Sequence, residues 1–167
     1  MRIVVGTDGS GGGRAALAWA LGLVRGRHDA SDVIELVNVY GGHHLAMPLF
    51  VPTSVTPPGR YLTDHPGAGV ALEAESVTHR AELQDHLRYE AEQLLADLVR
   101  EVDGTGGVRI ETVAVPGEEA GRALVAHAEG ADLLVVGARG GRPLHRLLGS
   151  VSEHCVNHAH GPVVVIR

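Results

Sequence analysis

Short apolar runs alternate along the chain with longer stretches in which apolar and polar residues mix at helical spacing. Five runs are rich in branched residues, as strands buried on both faces of a sheet are: RIVVG (2–6), VIELVNV (33–39), VRIETVAV (108–115), DLLVVG (132–137) and PVVVIR (162–167). Apolar residues every three or four positions predict helices between Ser10, an N-cap, and Gly26, a stop, and at about 78–102, 118–128 and 151–159.

This alternation predicts the fold class. Strands that alternate with helices form an open parallel α/β sheet with helices on both faces and right-handed crossovers. We expect five strands in the order 3-2-1-4-5, within a single domain that spans residues 1–167. The pattern fails at about 41–77, where five of the eight prolines fall. That segment is predicted to be a long flexible loop.

Composition narrows the classes of function. Hydrophobic residues make up 44% and charged residues 20% of the chain, which favours a globular domain over a disordered or membrane protein. A net charge of −6 argues against nucleic acid and anionic lipid as partners. The N-terminus lacks a signal-peptide pattern and Cys155 is a single cysteine, so we expect a cytoplasmic location. All 14 basic residues are arginine, which excludes a Walker A loop and Schiff-base chemistry.

The stretch GARGGRPLHRLLGS (137–150) leaves the fourth predicted strand at its carboxyl end. Its first glycines allow positive φ and close approach of backbone N–H groups to a ligand. Gly149, Ser150 and Ser152 stand at the start of the last predicted helix, where free N–H groups and the helix dipole favour an anion. An ordinary glycine turn, followed by a helix with Ser150 or Ser152 as its N-cap, is the alternative.

Three segments, IVVGTDGS, ADLLVVGARG and LLGSVSEHCVNHAHGPVVVIR, resemble the universal stress protein family over essentially the whole chain. In that family, members with a Gly-x2-Gly-x9-Gly-Ser/Thr motif bind ATP. The resemblance implies that Asp8 and the backbone of Val39 contact adenine, and that Gly137 lies beside the ribose. It also places Gly140, Gly149 and Ser150 around the phosphates, with donors from Val151 and Ser152. Here only eight residues separate Gly140 from Gly149, so Gly141 could take the role of Gly140.

ATP, with Mg²⁺, is therefore the expected cofactor. The full set of candidate ligand contacts is Thr7, Asp8, Val39, Val136, Gly137, Arg139, Gly140, Gly149, Ser150, Val151 and Ser152. Arg139 is the best of three candidate phosphate-binding arginines, the others being Arg142 and Arg146, although each of them also fits a solvated loop charge.

Other features favour structural roles. His154, His158 and His160 have a metal-like spacing, but no partnering carboxylate or cysteine constellation is evident, since Cys155 points about 100° away from His154 on a helix. We therefore predict no metal site, and we predict no catalytic residue. Trp19 and Cys155 are expected to pack in the core.

Three functions remain open: an ATP-binding stress-response or signalling domain with an unknown protein partner, a dimeric interaction module without nucleotide, and an enzyme or electron carrier such as a flavin-binding protein. Slow ATP hydrolysis stays possible in the first. The apolar strand from Val163 to Ile166 would lie at a sheet edge, and the resembling family commonly dimerises there, so a homodimer through this strand is expected.

Overall fold

The computed structural model describes residues 1–27, 29–41, 68–102, 107–138 and 148–167, with the backbone alone at 68–79. These residues form nine elements in strictly alternating order: β1 (Arg2–Gly6), α1 (Gly11–Arg27), β2 (Val33–Tyr40), α2 (Ala68–Glu101), β3 (Arg109–Pro116), α3 (Ala120–His127), β4 (Leu133–Gly137), α4 (Ser150–His158) and β5 (Val163–Ile166). None of the helices, as far as the structure describes them, combines the length and apolar character needed to cross a membrane.

The five strands form one parallel sheet in the order β3-β2-β1-β4-β5, which confirms the predicted topology. Central strand β1 pairs with β2 in the register Ile3↔Ile34 and with β4 in the register Ile3↔Leu133. The chain order therefore reverses between β1 and β4. In open parallel sheets, ligands bind beside the carboxyl ends of the strands at such a switch point.

Side chains of successive strand residues enter two hydrophobic clusters on opposite faces of the sheet, as the period of two requires. Ile3 and Val5 pack with the buried faces of α1 and α2, whereas Val4 packs with Leu124 of α3 and Cys155 of α4. The helices on the two sides of the sheet thus bury β1 on both faces. Cys155 is fully buried, as predicted, and burial raises the pKa of its thiol to about 11, so the sulfur stays protonated at neutral pH.

An ion cluster at the amino end of the sheet anchors α3. The Arg2 guanidinium donates to both carboxylate oxygens of Glu35, at 2.7 and 3.0 Å, and to the carbonyl oxygens of His127 and Glu129. These bonds to Arg2, assisted by His127, hold the pKa of Glu35 below its ordinary value. By donating to carbonyls at the carboxyl end of α3, Arg2 holds this end of the helix in place. The amino end of the same helix lies at the carboxyl edge of the sheet.

The predicted loop at 41–77 is wrong in its last part, because α2 begins at Ala68. The proline-rich pattern ends at Pro66, and the following residues, AGVALEAE, are dominated by the strong helix formers Ala, Leu and Glu. The prediction that the rest of this loop is flexible concerns residues 42–67, which lie outside the described residues.

Two predictions for α1 are also wrong. Trp19 is 39% exposed and not in the core, because a residue turns about 100° on a helix and the buried stripe runs through Ala16, Leu17, Ala20, Leu21 and Val24. Gly26 does not stop the helix, which continues through Arg27. The predicted N-cap is confirmed, since the Gly13 N–H donates to the Ser10 hydroxyl at 3.4 Å and the Arg14 N–H to its carbonyl at 3.0 Å.

Candidate functional site

A cavity of about 510 Å³ opens at the carboxyl edge of the sheet, beside the ends of β1 and β4. Its walls come from the ends of β1, β2 and β4, the loop between β1 and α1, and the first residues of α3 and α4. Nine of the eleven predicted site residues line it: Thr7, Asp8, Val39, Val136, Gly137, Gly149, Ser150, Val151 and Ser152. Residues more than a hundred positions apart in sequence are thus brought to one space.

The loop from Thr7 to Ser10 is held by its own side chains. The Thr7 hydroxyl accepts from the Gly9 N–H at 3.1 Å, and one carboxylate oxygen of Asp8 accepts from the Ser10 N–H at 3.0 Å. Thr7 is only 8% exposed and its N–H donates to the Val37 carbonyl, so it attaches the start of the loop to β2. Asp8 is exposed and keeps its second oxygen available to a ligand donor.

Asn38 lines the cavity although it was not among the predicted site residues. Its amide Nδ2 donates to the Thr7 carbonyl at 2.8 Å, which ties the end of β2 to the loop after β1. A signal was present in the sequence, because Asn38 is a polar residue at the carboxyl end of an otherwise apolar strand and directly precedes Val39. The other lining residues that the sequence did not single out are Gly6, Ser10, Gly13, Val37, Ala120, Leu124, Ala138 and Leu148.

The glycine at the end of β4 has a different local reason from the predicted one. Gly137 is not among the described glycines with positive φ. A Cβ at Gly137 would lie 2.6 Å from the carbonyl carbon of Gly12, so glycine is needed here for close packing of β4 against the first turn of α1. Gly13 is equally confined, because its Cβ would meet the Thr7 hydroxyl at 2.3 Å. The glycines of this region therefore bring helix α1 close to the sheet at the cavity.

The amino end of α4 forms the opposite wall. Gly149 is the N-cap, with extended φ and ψ of −81° and 165°, which corrects the alternative that Ser150 or Ser152 caps this helix. The Ser152 hydroxyl accepts from the Gly149 N–H at 3.0 Å and lies 3.1 Å from the Ala138 carbonyl oxygen. Ser152 is 1% exposed, so its hydroxyl bonds within the protein.

The first-turn N–H groups of α4 remain as potential ligand donors. Ser150, Val151 and Ser152 follow the N-cap and all line the cavity. Their N–H groups have no acceptor within the helix, because the carbonyls four residues earlier precede it. These donors and the positive end of the helix dipole make this wall suitable for an anionic group.

Two predicted contacts, Arg139 and Gly140, lie outside the described residues, as do Arg142 and Arg146. The suggested contribution of arginine to phosphate binding therefore stays a prediction. Of the histidines, His154 and His158 stack with ring centroids 4.1 Å apart, outside the cavity. No group of three His, Cys, Asp or Glu side chains within the described part of the chain is arranged to hold a metal ion.

Comparison with known proteins agrees with this architecture. The model of the universal stress protein family matches residues 60–167. The chain belongs to the universal stress protein family. A universal stress protein from Mycolicibacterium smegmatis is 32% identical over 166 residues, covering 99% of this chain and 47% of that protein. The chain thus spans about half the length of this curated relative.

Solved structures share the fold at lower identity. The hypothetical protein MJ0577 matches with a TM-score of 0.64 and 22% identity, covering 99% of this chain and 94% of that one. A universal stress protein in complex with cAMP matches with a TM-score of 0.59 and 21% identity, over 100% and 96% of the two chains. A family member from Arabidopsis thaliana with AMP bound matches with a TM-score of 0.58 and 20% identity, over 99% and 90%.

Proposed function

We propose that this universal stress protein binds an adenine nucleotide, with ATP as the ligand, in the cavity at the carboxyl edge of the sheet. The observation that carries the proposal is the convergence of nine of the eleven predicted site residues around that one cavity, with the amino end of α4 as one wall. A volume of about 510 Å³ falls within the usual size of small-molecule sites.

The chemistry of the walls fits the parts of a nucleotide. Val39, which is half-buried, offers an apolar surface of the kind that a purine ring contacts, and it packs against the buried Val37 and Leu124. The free carboxylate oxygen of Asp8 can accept from an amino or hydroxyl group. The N–H groups at the start of α4 suit phosphate oxygens. The cavity therefore combines an apolar wall with one anion-binding end, as a nucleotide requires.

Two structural neighbours support a nucleotide as the ligand class, since one was solved with cAMP and the other with AMP. The choice of ATP rests on the resemblance of the glycine motif to that of ATP-binding members. Mg²⁺ would accompany the phosphates. The described residues contain no cluster of three metal-binding side chains, so Mg²⁺ would be held chiefly by phosphate oxygens and water.

The proposed function also includes assembly. A domain that acts through nucleotide-dependent partner binding needs an interaction surface. The open edge of β5 is such a surface for a second copy of this chain. The existence of a protein partner and the cytoplasmic location stay predictions from the sequence.

A dimeric interaction module that binds no nucleotide is the second candidate, because the eight-residue spacing between Gly140 and Gly149 departs from the ATP-binding motif. Mass spectrometry of the small molecules released when the purified protein is denatured separates the two. We expect ATP or another adenine nucleotide in the released fraction, and its absence together with an intact dimer and no binding of added nucleotide would favour the interaction module.

A further inference from the structure

Arg14 joins the end of the long helix α2 to the candidate nucleotide loop. It lies in the first turns of α1, and its guanidinium donates to both carboxylate oxygens of Glu101, at 2.9 and 3.1 Å. A third donor, Nη1, bonds to the carbonyl oxygen of Gly9. Glu101 is the last residue of α2, so one side chain links the carboxyl end of α2 to the loop that carries Asp8.

The same helix supports the loop through a second contact. Gly9 has a positive φ of 75°, and a Cβ there would lie 2.6 Å from Cδ1 of Leu94. Leu94 of α2 thus packs directly against Gly9, and the positive φ favours glycine at this position. The backbone of the loop is held between this apolar contact below and the Arg14 hydrogen bond to its carbonyl.

The bond from Arg14 adds to the hydrogen bonds that already hold the backbone beside Asp8. The N–H groups of Gly9 and Ser10 already bond to the side chains of Thr7 and Asp8. The Gly9 carbonyl accepts a hydrogen bond from the Arg14 guanidinium, which is itself bound to Glu101 at the end of α2. A guanidinium whose two other donors are fixed by a bidentate carboxylate has little freedom to leave that carbonyl.

We infer that Arg14 and Glu101 are positioning residues for nucleotide binding, which hold the loop from Thr7 to Ser10 so that Asp8 faces the cavity. The inference rests on the proposed function, and it makes the position of α2 a determinant of nucleotide affinity. Neither residue lines the cavity. Their side chains are 47% and 52% exposed, and ion pairs this exposed add little to global stability, so the effect should fall on the loop and not on unfolding.

The test compares Glu101→Gln and Arg14→Met with Glu92→Gln by calorimetric titration of ATP with Mg²⁺. Glu92 is a matched control because it lies on the same helix, pairs with Arg88 at 3.9 Å and is 56% exposed. We expect each of the first two variants to bind ATP about threefold to tenfold more weakly than wild type, with an unchanged melting temperature. The double variant should bind no more weakly than either single variant, because both changes break the same Arg14–Glu101 ion pair.

Wild-type affinity in Arg14→Met and Glu101→Gln would overturn the inference while leaving the proposed function intact. If wild type itself binds no adenine nucleotide, the proposed function fails, and amide hydrogen exchange of the ligand-free proteins decides the positioning role. Glu101→Gln should then speed exchange at Gly9 and Ser10 and Glu92→Gln should not, whereas equal rates in both variants would refute the role.

Discussion

At the end of β4, a single hydrogen atom in place of a side chain decides how closely helix α1 approaches the sheet. A Cβ on Gly137 would lie within 2.9 Å of three backbone atoms of Gly12, and backbone cannot rotate away as a side chain can. Gly137→Ala should therefore destabilise the protein by about 1–3 kcal/mol, the usual cost of overpacking.

Gly22→Ala is the matched control for this prediction, because Gly22 is a residue of α1 whose added Cβ would meet no atom outside its own helix within 4 Å. Alanine there should be neutral or stabilising by up to about 1 kcal/mol. Urea unfolding of both variants measures the difference, and equal stability of the two would show that the close packing of Gly137 is not needed.

At the residue scale, the sequence predicted which residues lie together better than it predicted the hydrogen bonds of their side chains. Nine of the eleven residues predicted for the site, most of them through the resemblance to the universal stress protein family, line one cavity. It could not show that the Ser152 hydroxyl is occupied by Gly149 and Ala138, because those bonds depend on the path of the chain between β4 and α4. Asn38 was missed although it is a polar residue at the end of an apolar strand, because its bond to the Thr7 carbonyl in the loop after β1 appears only once the strands are paired.

At the scale of elements, the part of α2 whose side chains the structure describes, 80–101, consists of two segments that differ in burial. Ala91, Leu95 and Leu98 are buried against the sheet, whereas residues 80–90 include no buried position. Helix hydrogen bonds that are exposed to water and have little packing open more easily. We expect fast amide exchange at 80–90 and slow exchange at 91–101 by mass spectrometry, and uniform protection along the helix would contradict this account.

The elements themselves followed largely from periodicity. All five strands and four helices were predicted, and the order of the strands was confirmed. The errors arose where periodicity carries no signal. The start of α2 lies where composition changes from proline-rich to helix-forming without an apolar stripe, and the exposure of Trp19 depends on an angular step of one residue.

At the scale of the whole molecule, the open edge of β5 leads to the prediction of a homodimer. The N–H groups of Leu134 and Ala138 donate to the carbonyls of Pro162 and Ile166. With the register Val135↔Val164, this parallel pattern directs the N–H of Val164 toward β4 and the N–H of Val165 toward the open edge. Val165, like Val163, is therefore a position at which a backbone donor would be available to a second copy.

Val165→Pro should abolish the dimer while it spares the hydrogen bonds between β4 and β5, because proline removes only the outward donor. Val164→Pro is the contrasting variant, since it removes a donor to β4 and should lower stability. Light scattering at micromolar concentration, with thermal unfolding alongside, measures both effects. A wild-type monomer would contradict the prediction, and a Val165→Pro dimer would place the interface elsewhere.

The most direct test of the central claim is calorimetric titration of the wild-type protein and Gly149→Val with ATP and Mg²⁺. Gly149 caps α4 with a φ of −81°, a conformation that valine can adopt without straining the backbone. The added side chain should therefore reduce the space for phosphate at the amino end of α4. The account predicts one nucleotide per chain for wild type and no measurable binding for Gly149→Val. Equal affinities, or no binding to wild type, would contradict it.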